Sequence, residues 1–311
     1  MNNKILEEIK KVKNIAIMAH ESPDGDAIGS VLAMYLALEQ LKIKADPIVP
    51  IYPNMFNVLD RINDFKKEPT KDYDLIIVLD CANAKRVSNE DILKKAKITI
   101  NIDHHATNTE FATYNLVERG GPACCLTLVD IFKDWNVTID KYIGQALSTG
   151  IITDTGGFRF NNISKTYRFI ADMLDIGVDI TNIYFKILTT NTKEQFELKK
   201  LAQERLEFYH NNKIAFTYIE KEDDEKLGTK TGDHEGIVDI GKNIEGVEVS
   251  LFYRYQDDKY RVSLRSNEYI DVSVIATIFG GGGHTKAAGF TTTKSLEESK
   301  KEVIEEIEKR L

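Results

Sequence analysis

The sequence predicts an α/β protein with an N-terminal, mostly parallel sheet flanked by helices, a long connecting helix and a smaller C-terminal α/β domain. Over the first 190 residues, apolar β-branched runs such as Leu75–Leu79 alternate with helical patterns. Such runs are typical of parallel strands buried on both faces. Beyond about residue 213 the pattern changes to alternating apolar and polar residues. The length of 311 residues fits two domains.

Residues 1–190 are predicted to form the first domain. Short apolar runs predict strands at Asn14–Ala19, Ile43–Val49, Tyr73–Asp80 and Lys97–Asp103. Apolar residues at helical spacing predict helices at Ala27–Lys42, Pro122–Trp135, Tyr142–Thr149, Lys165–Ile176 and Ile180–Leu188. The apolar segment Gly150–Thr153 that follows the third of these helices is interpreted as another strand-like run.

A charged amphipathic stretch from Lys193 to His210 predicts a helix that joins the domains, assigned to residues 191–212. Residues 213–311 form the second predicted domain. Its alternating segments predict antiparallel strands, and the acidic run Glu220–Lys226 predicts a solvated loop. The predicted strands are Lys213–Ile219, Val247–Tyr255 and Lys259–Arg265; a short helix at Asp271–Phe279, a glycine cluster and a helix from about Ser295 follow.

The composition limits the partners that the chain can bind. Lys and Arg number 41 against 49 Asp and Glu, which gives a net charge of −8. Long nucleic acid is therefore excluded as a partner, because such binding depends on neutralising many phosphates with cations. The run Ile15–Ala19 ends at His20 and is too short for a signal peptide or a membrane span. The three cysteines lack zinc-type spacing, so we expect a cytoplasmic protein with buried thiols.

Side chains that commonly bind metals follow the apolar segments of the first domain. They occur in HESPDGDAIGS after the first strand, LDC after the third, DHH after the fourth and GIITDTG after Gly150–Thr153. Singly, each could be structural, and Asp24 or Asp26 could cap the helix that begins near Ala27. Because ligands bind beyond the carboxyl ends of parallel strands, their joint placement predicts one site.

The candidate ligands are four carboxylates and two imidazoles: His20, Asp24, Asp26, Asp80, His104 and Asp154. Oxygen and nitrogen ligands without thiolates favour Mn²⁺ over a structural zinc ion, with Mg²⁺ or Co²⁺ as alternatives. Four carboxylates balance two divalent ions, and Asp80, central in the predicted sheet, is the expected bridge. Two such ions can act on the attacking and leaving oxygens of a phosphoryl transfer.

These four motifs, in this order, resemble those of the DHH phosphoesterase family. FGGGGHTKAAG at Phe279–Gly289 and SLRSNEYIDVSVIA upstream resemble the C-terminal domain associated with that family. The chain departs from the expected small and acidic residues after the third motif, where it has Gly121–Leu126. We assign the vicinal Cys124 and Cys125 in this segment to packing.

The resemblance divides the ligands between two metal ions. It implies that one ion is bound by His20, Asp24 and Asp80, and the other by Asp26, Asp80, His104 and Asp154. Asp80, Asp103, His104 and His105 are then the expected catalytic residues. Asp103 would orient a histidine, and His105 would face the substrate phosphate.

The second domain is expected to bind another phosphate of the substrate. Glycines can present backbone N–H groups to an anion, and arginine can hold a phosphate with paired hydrogen bonds. The resemblance gives Ser266 the same role, and Arg159 is a weaker candidate for the scissile phosphate. The predicted substrate-binding residues are His105, Arg159, Arg265, Ser266, Gly281, Gly282, Gly283 and His284.

Within the family, the chain resembles enzymes that hydrolyse oligoribonucleotides of two to five nucleotides and 3′-phosphoadenosine-5′-phosphate (pAp). The expected partners are short RNA or DNA oligonucleotides and nucleotides such as pAp and pApA, without long duplexes or membranes; a homodimer is left open. One alternative is a phosphodiesterase for cyclic or linear di-AMP. An alternative of another class is a non-catalytic nucleotide sensor, which would lack at least one ligand.

Overall fold

The computed structural model describes residues 1–161, 163–230 and 232–311. The chain divides into two compact units, Met1–Thr190 and Asn191–Leu311, which we call the N-terminal unit and the C-terminal unit. Among the described residues, every helix is too short or too polar to cross a membrane.

The N-terminal unit is built on a parallel sheet with the strand order β2-β1-β3-β4-β5. This arrangement confirms the predicted parallel sheet. Adjacent residues of the central strands point to opposite faces and are buried on both, which explains why these strands read as continuous apolar runs. The strands are β1 (Ile15–Met18), β2 (Asp46–Pro47), β3 (Leu75–Leu79), β4 (Ile98–Asp103) and β5 (Tyr114–Val117).

Helices cover the sheet of the N-terminal unit. One face, with Ile17 and Ile77, packs into the large core, and the other, with Met18 and Val78, packs against a smaller cluster that includes Leu93. The helices are α1 (Asn2–Lys10), α2 (Gly25–Gln40), α3 (Glu90–Leu93), α4 (Cys124–Asp134), α5 (Lys141–Asp154), α6 (Ser164–Asp175) and α7 (Ile180–Tyr184); a π-helical turn, Phe185–Thr189, follows α7.

Two elements of the N-terminal unit differ from the prediction. The expected strand Ile43–Val49 contracts to β2, whose Pro47 cannot donate a ladder hydrogen bond. The strand-like interpretation of Gly150–Thr153 is wrong, because this segment is the last turn of α5. The helical spacing of buried Ile143, Leu147 and Ile151 continues past Thr149, so Asp154 ends a helix and not a strand.

The C-terminal unit contains a mixed sheet with the order β10-β11-β9-β8-β7-β6. Its strands are β6 (Glu207–Tyr209), β7 (Ile214–Ile219), β8 (Val249–Gln256), β9 (Lys259–Ser266), β10 (Gly282–His284) and β11 (Ala287–Thr292). Its helices are α8 (Lys193–Glu204), α9 (Lys221–Leu227), α10 (Ile237–Lys242), α11 (Val272–Ile278) and α12 (Leu296–Glu308).

Three expectations for this unit change. Strands β7 and β8 pair in parallel, with α9 and α10 in the connection between them. The run Glu220–Lys226 is therefore mostly helical, and the predicted loop is wrong: α9 begins at Lys221, and Asp223 accepts a hydrogen bond from the backbone N–H of Glu220. The predicted connecting helix ends at Glu204, since Glu207–Tyr209 pairs with β7 as a strand.

Candidate metal centre

A cluster of acidic and histidine side chains lies at the carboxyl edge of the parallel sheet. Strands β1, β3 and β4 lead into His20, Asp80 and the segment Asp103–His105. Helix α2 begins beside them with Asp26 in its first turn, and α5 ends there with Asp154. The structure thus brings all six sequence-predicted ligands together, although they come from strand ends and from helix ends.

The first group of potential ligands is His20, Asp24 and Asp80. His20 Nε2 lies 3.9 Å from Asp24 Oδ1 and 3.8 Å from Asp80 Oδ2. Asp24 also caps α2, because its side chain accepts hydrogen bonds from the backbone N–H groups of Asp26 and Ala27. The capping role weighed from the sequence and a ligand role are therefore compatible, since a carboxylate has two oxygens.

The second group is Asp26, His104 and Asp154. His104 Nε2 lies 3.8 Å from Asp26 Oδ2 and 3.3 Å from Asp154 Oδ2. It also lies 3.3 Å from Asp80 Oδ1. His104 Nδ1 is 2.9 Å from the carbonyl oxygen of Gly121, and donation to this carbonyl leaves Nε2 directed at the carboxylates.

Asp80 lies between the two groups: it belongs to the first and is close to His104 of the second. One carboxylate oxygen is near His20 and the other is near His104. Its Oδ1 is buried without a hydrogen-bond partner within the described residues. Asp80 also has a positive φ of 50°, a conformation that residues other than glycine rarely adopt. Backbone strain at a buried acidic residue is a common feature of functional sites.

Asp26 is held by the first turn of helix α4, which sequence reasoning missed. The backbone N–H groups of Cys124 and Cys125 donate to its two oxygens at 2.5 and 2.9 Å. The positive end of the α4 dipole therefore faces a fully buried carboxylate. The cysteine thiols are packed as expected, and burial raises the pKa of both. Because the backbone N–H groups of the two cysteines make the contact with Asp26, the residue types at these positions did not indicate it.

A buried polar network supports His105. Asp103 Oδ1 lies 2.7 Å from His105 Nδ1, and Asn108 Nδ2 donates to Asp103 Oδ2 at 2.5 Å. Asn108 also donates to Asn101 Oδ1 at 2.8 Å, and Asn101 donates to carbonyl groups of Val78 and Cys81 at the end of β3. The network joins the ends of β3 and β4, and the orienting role of Asp103 stays a prediction. Asn101 lies two residues before the DHH motif and Asn108 three residues after it, and neither was singled out from the sequence.

The charges of the cluster are unbalanced without cations. Burial raises the pKa of Asp26 and of Asp80, and neighbouring carboxylates add to both effects. Burial and the charge of Asp26 raise the pKa of Asp154 to about 8. Burial disfavours protonation of His104, but Asp80, Asp26 and Asp154 together raise its pKa to about 11. Oxygen and imidazole donors, a buried unpaired carboxylate oxygen and excess negative charge fit divalent metal ions.

Arg159 and Asp103, two further predicted site residues, differ in exposure and in the contacts they make within the N-terminal unit. Arg159 is exposed, and its Nε–H donates to the carbonyl of Gly156 at 2.8 Å. Asp103 is fully buried, and hydrogen bonds from His105 and Asn108 overcome the effect of burial and lower its pKa. Asp103 is therefore ionised and can hold His105.

The predicted phosphate-binding residues of the C-terminal unit lie on its sheet, except Gly281, which directly precedes β10. Ala287 pairs with His284 on one side and with Arg265 on the other, so these two side chains flank a small residue on the same face. Gly282–His284 is an edge strand and not an open turn, and Gly283 has a φ of 147°. A Cβ at Gly281 would lie 2.2 Å from the carbonyl oxygen of Gly289, so close packing requires glycine there.

Ser266 occupies a different environment from its predicted partners. Its side chain is buried, and its hydroxyl donates to the carbonyl of Ile270 at 2.7 Å. This contact holds the segment that leads into α11. Ser266 thus acts in the structure as a support for the turn after β9.

The fold and the acidic cluster define a two-unit α/β protein with a candidate dinuclear metal centre. Residues 14–166 match the DHH family, N-terminal domain, and residues 193–311 match the DHHA1 domain. The chain therefore belongs to the DHH family, as the resemblance of its motifs indicated.

Individual relatives agree with this assignment. The chain is 29% identical to the bifunctional oligoribonuclease and PAP phosphatase NrnA of Thermus thermophilus, over 99% of this chain and 93% of that protein. It is 25% identical to the cyclic-di-AMP phosphodiesterase PdeA of Listeria monocytogenes, over 97% of this chain and 48% of that protein. The crystal structure of an exopolyphosphatase-related protein from Bacteroides fragilis superposes with a TM-score of 0.90 at 27% identity, covering 98% of this chain and 94% of that one.

Proposed function

We propose that this chain is a metal-dependent phosphoesterase that hydrolyses oligoribonucleotides of about two to five nucleotides to mononucleotides, and pAp to AMP. The observation that carries the proposal is the position of Asp80, whose two oxygens face the two separate groups of ligands. The similarity to the bifunctional enzyme of Thermus thermophilus, which extends over nearly the whole of both chains, supports the substrate class.

In this proposal His20, Asp24 and Asp80 hold one divalent ion, and Asp26, Asp80, His104 and Asp154 hold the other. Two divalent ions, with Mn²⁺ as the first choice, would supply an activated water and would neutralise charge on the phosphate. Asp80 would contribute a ligand to each ion, the α4 amides favour the ionised form of Asp26 against the effect of burial, and the Gly121 carbonyl orients His104.

The remaining residues would bind the substrate. Asp103 accepts from His105 Nδ1, so Nε2 of His105 can donate to a phosphate oxygen when the ring is protonated. In the C-terminal unit, Arg265, His284 and the exposed edge of the glycine strand Gly282–His284 would bind a second phosphate. A substrate held at only a few phosphates suits an acidic protein.

A second candidate activity is hydrolysis of cyclic di-AMP. It is favoured by the similarity to the cyclic-di-AMP phosphodiesterase PdeA, of which this chain spans about half the length. The same ligand set would serve both reactions, so the substrates and not the metals distinguish them.

The test compares hydrolysis of pApA, longer oligoribonucleotides, pAp and cyclic di-AMP with Mn²⁺. We expect turnover of pApA and pAp, and loss of at least about a hundredfold in Asp80→Asn, because even residues that only orient metal ligands cost about 10–100-fold. Asp91→Asn is the matched control, since that carboxylate is 90% exposed and lies 3.9 Å from Lys94 Nζ at the surface. Absence of turnover with any divalent ion, or near-normal rates in Asp80→Asn, would overturn the proposal. Preference for cyclic di-AMP would select the second candidate.

A further inference from the structure

One face of the C-terminal sheet is covered over only part of its width. Helices α8 and α10 pack over β7 and β8 through an apolar cluster that includes Leu198, Ile237 and Phe252. Strand β9 continues the same face beyond this cover, because Ser263 pairs with Phe252 across the sheet. The side chains of β9 on this face are Lys259, Arg261, Ser263 and Arg265, and the alternate ones are buried.

A cavity of about 390 Å³ lies at the far end of this face, near the turn between β8 and β9. Small-molecule sites commonly have volumes of about 300–1,000 Å³. Arg261 pairs with Thr291 of β11 on one side and with Arg254 of β8 on the other. The side chains and glycine that line the cavity include Gln256, Asp257, Lys259, Arg261, Gly289 and Thr291.

The cations of this cavity are unpaired. Arg261 and Lys259 are exposed, and within the described residues neither makes an ion pair or a side-chain hydrogen bond. The neighbouring Arg254 is already engaged, 3.7 Å from Asp224. Asp257 is the acidic residue of the lining, so two free cations face one carboxylate. A guanidinium, an ammonium and a hydroxyl in one open cavity form donors that suit a phosphate group.

The cavity lies along the same face of β9 as Arg265, which is proposed to bind the second phosphate. Arg261 and Arg265 are four residues apart on one strand, which separates their Cα atoms by about 13 Å at about 3.3 Å per residue. Between them, Ser263 and Gly289 form a row of small residues across β9 and β11. An extended oligonucleotide that contacts Arg265 would therefore pass Ser263 and Gly289 on its way along β9 to Arg261.

We infer that this cavity is a further phosphate subsite, used by a substrate longer than a dinucleotide. The inference rests on the proposed function, since it extends the substrate path beyond Arg265 and His284. Arg261 would hold a phosphodiester of the third nucleotide, and Lys259 would add positive charge. The subsite makes Arg261 a determinant of substrate length and leaves pAp and dinucleotides unaffected.

The test compares kcat/KM of the full-length protein for pApApA and pApA with Mn²⁺. In Arg261→Ala we expect about a tenfold greater loss for pApApA than for pApA, because a hydrogen bond to a charged group contributes about 1.5–3 kcal/mol and 1.4 kcal/mol is tenfold. Arg261→Lys should retain part of the preference. Lys213→Ala is the control, because it removes one exposed positive charge from the turn before β7 in the same unit.

A binding measurement separates this inference from the proposed function. Calorimetric titration of pApApA and pApA in EDTA requires no turnover, and Arg261→Ala should weaken binding of pApApA selectively. If the wild-type protein hydrolyses neither substrate but shows this selective loss of binding, the proposed activity fails and the subsite stands. Equal effects of Arg261→Ala on both substrates, or no effect on either, would overturn the subsite.

Discussion

At the scale of single residues, the site depends on side chains that never face the substrate. Asn108 donates to Asp103 and to Asn101, so it fixes the carboxylate that orients His105. It also leaves Asp103 with one oxygen committed to Asn108 and the other to His105. The asparagine therefore helps His105 to lower the pKa of Asp103 and fixes the direction of its carboxylate.

We predict that Asn108→Ala lowers kcat for pApA by about 10–100-fold, the cost typical of residues that orient metal ligands and catalytic groups. Loss of the hydrogen bond should raise the pKa of Asp103 and change the pH dependence of kcat. Circular dichroism and the pH–rate profile check these effects. Asn115→Ala is a control, because that side chain donates to backbone carbonyls of a nearby loop. A reduced rate with an unchanged pH profile would contradict the orienting role.

At the scale of elements, the second group of ligands depends on helix packing. Helices α2 and α5 approach so closely that a Cβ at Gly29 would lie 2.4 Å from the carbonyl oxygen of Ala146. A Cβ at Gly150 would lie 2.3 Å from Cys125 Sγ and 2.6 Å from Asp26 Oδ1. The three helices that carry or hold Asp26 and Asp154 therefore meet at glycine.

Gly150→Ala tests this packing. The added methyl group should displace Asp26 or α4, at a cost of about 1–3 kcal/mol of unfolding free energy, and should weaken Mn²⁺ binding measured by calorimetry. The control is Gly144→Ala on the same helix, where the methyl group would meet Met173 Sδ at 2.5 Å, at the end of a flexible side chain. Metal affinity should stay near the wild-type value in the control. Equal metal affinity in both variants would refute the link between packing and the site.

The elements also show what the sequence could predict. Continuous apolar runs identified β1 and β3, because strands buried on both faces need apolar residues throughout. Strand β4 was also identified, although its β-branched run includes the buried Asn101. The end of α5 was misread, since a short apolar run has no period that separates a strand from a buried helix. The parallel pairing of β7 and β8 was missed because alternation indicates one exposed face and not strand direction.

The sequence predicted the ligands of the site but not all the contacts that hold them. The six candidate ligands could be recognised by residue type, because their own side chains would bind the metal, and they lie together in the structure. Contacts made by the backbone, such as those of Cys124 and Cys125 with Asp26, cannot be predicted from residue type, because every residue except proline has the same backbone donor. Ser266, the last residue of β9, is buried, and its hydroxyl donates to the carbonyl of Ile270, so its substrate-binding role stays a prediction.

At the scale of the whole molecule, the acidic cluster links metal binding to stability. Asp26 and Asp80 are buried, Asp154 lies partly buried close to them, and burial raises the pKa of each. Desolvation and mutual repulsion of these carboxylates therefore destabilise the metal-free folded state, and divalent ions would remove this effect. Ion binding to the folded state also stabilises it by mass action.

We predict that Mn²⁺ raises the Tm of the N-terminal unit within the intact chain by about 5–10 °C at a hundredfold excess over Kd. Differential scanning calorimetry of the EDTA-treated protein, before and after addition of Mn²⁺, measures the change. Asp80→Asn should show a much smaller increase, and Asp91→Asn should behave like the wild type. An identical Tm with and without Mn²⁺ in the wild-type protein would contradict a metal site at this cluster.

The origin of the ligands has a consequence for changing the metal preference of this protein. Asp26 and Asp154 stand at the ends of α2 and α5, so the distance between them is set by how near two backbones can come. Rotamer changes at the ligands can adjust it only slightly. Selection for an ion of another radius should therefore yield substitutions along the helix contact, several residues from any coordinating atom.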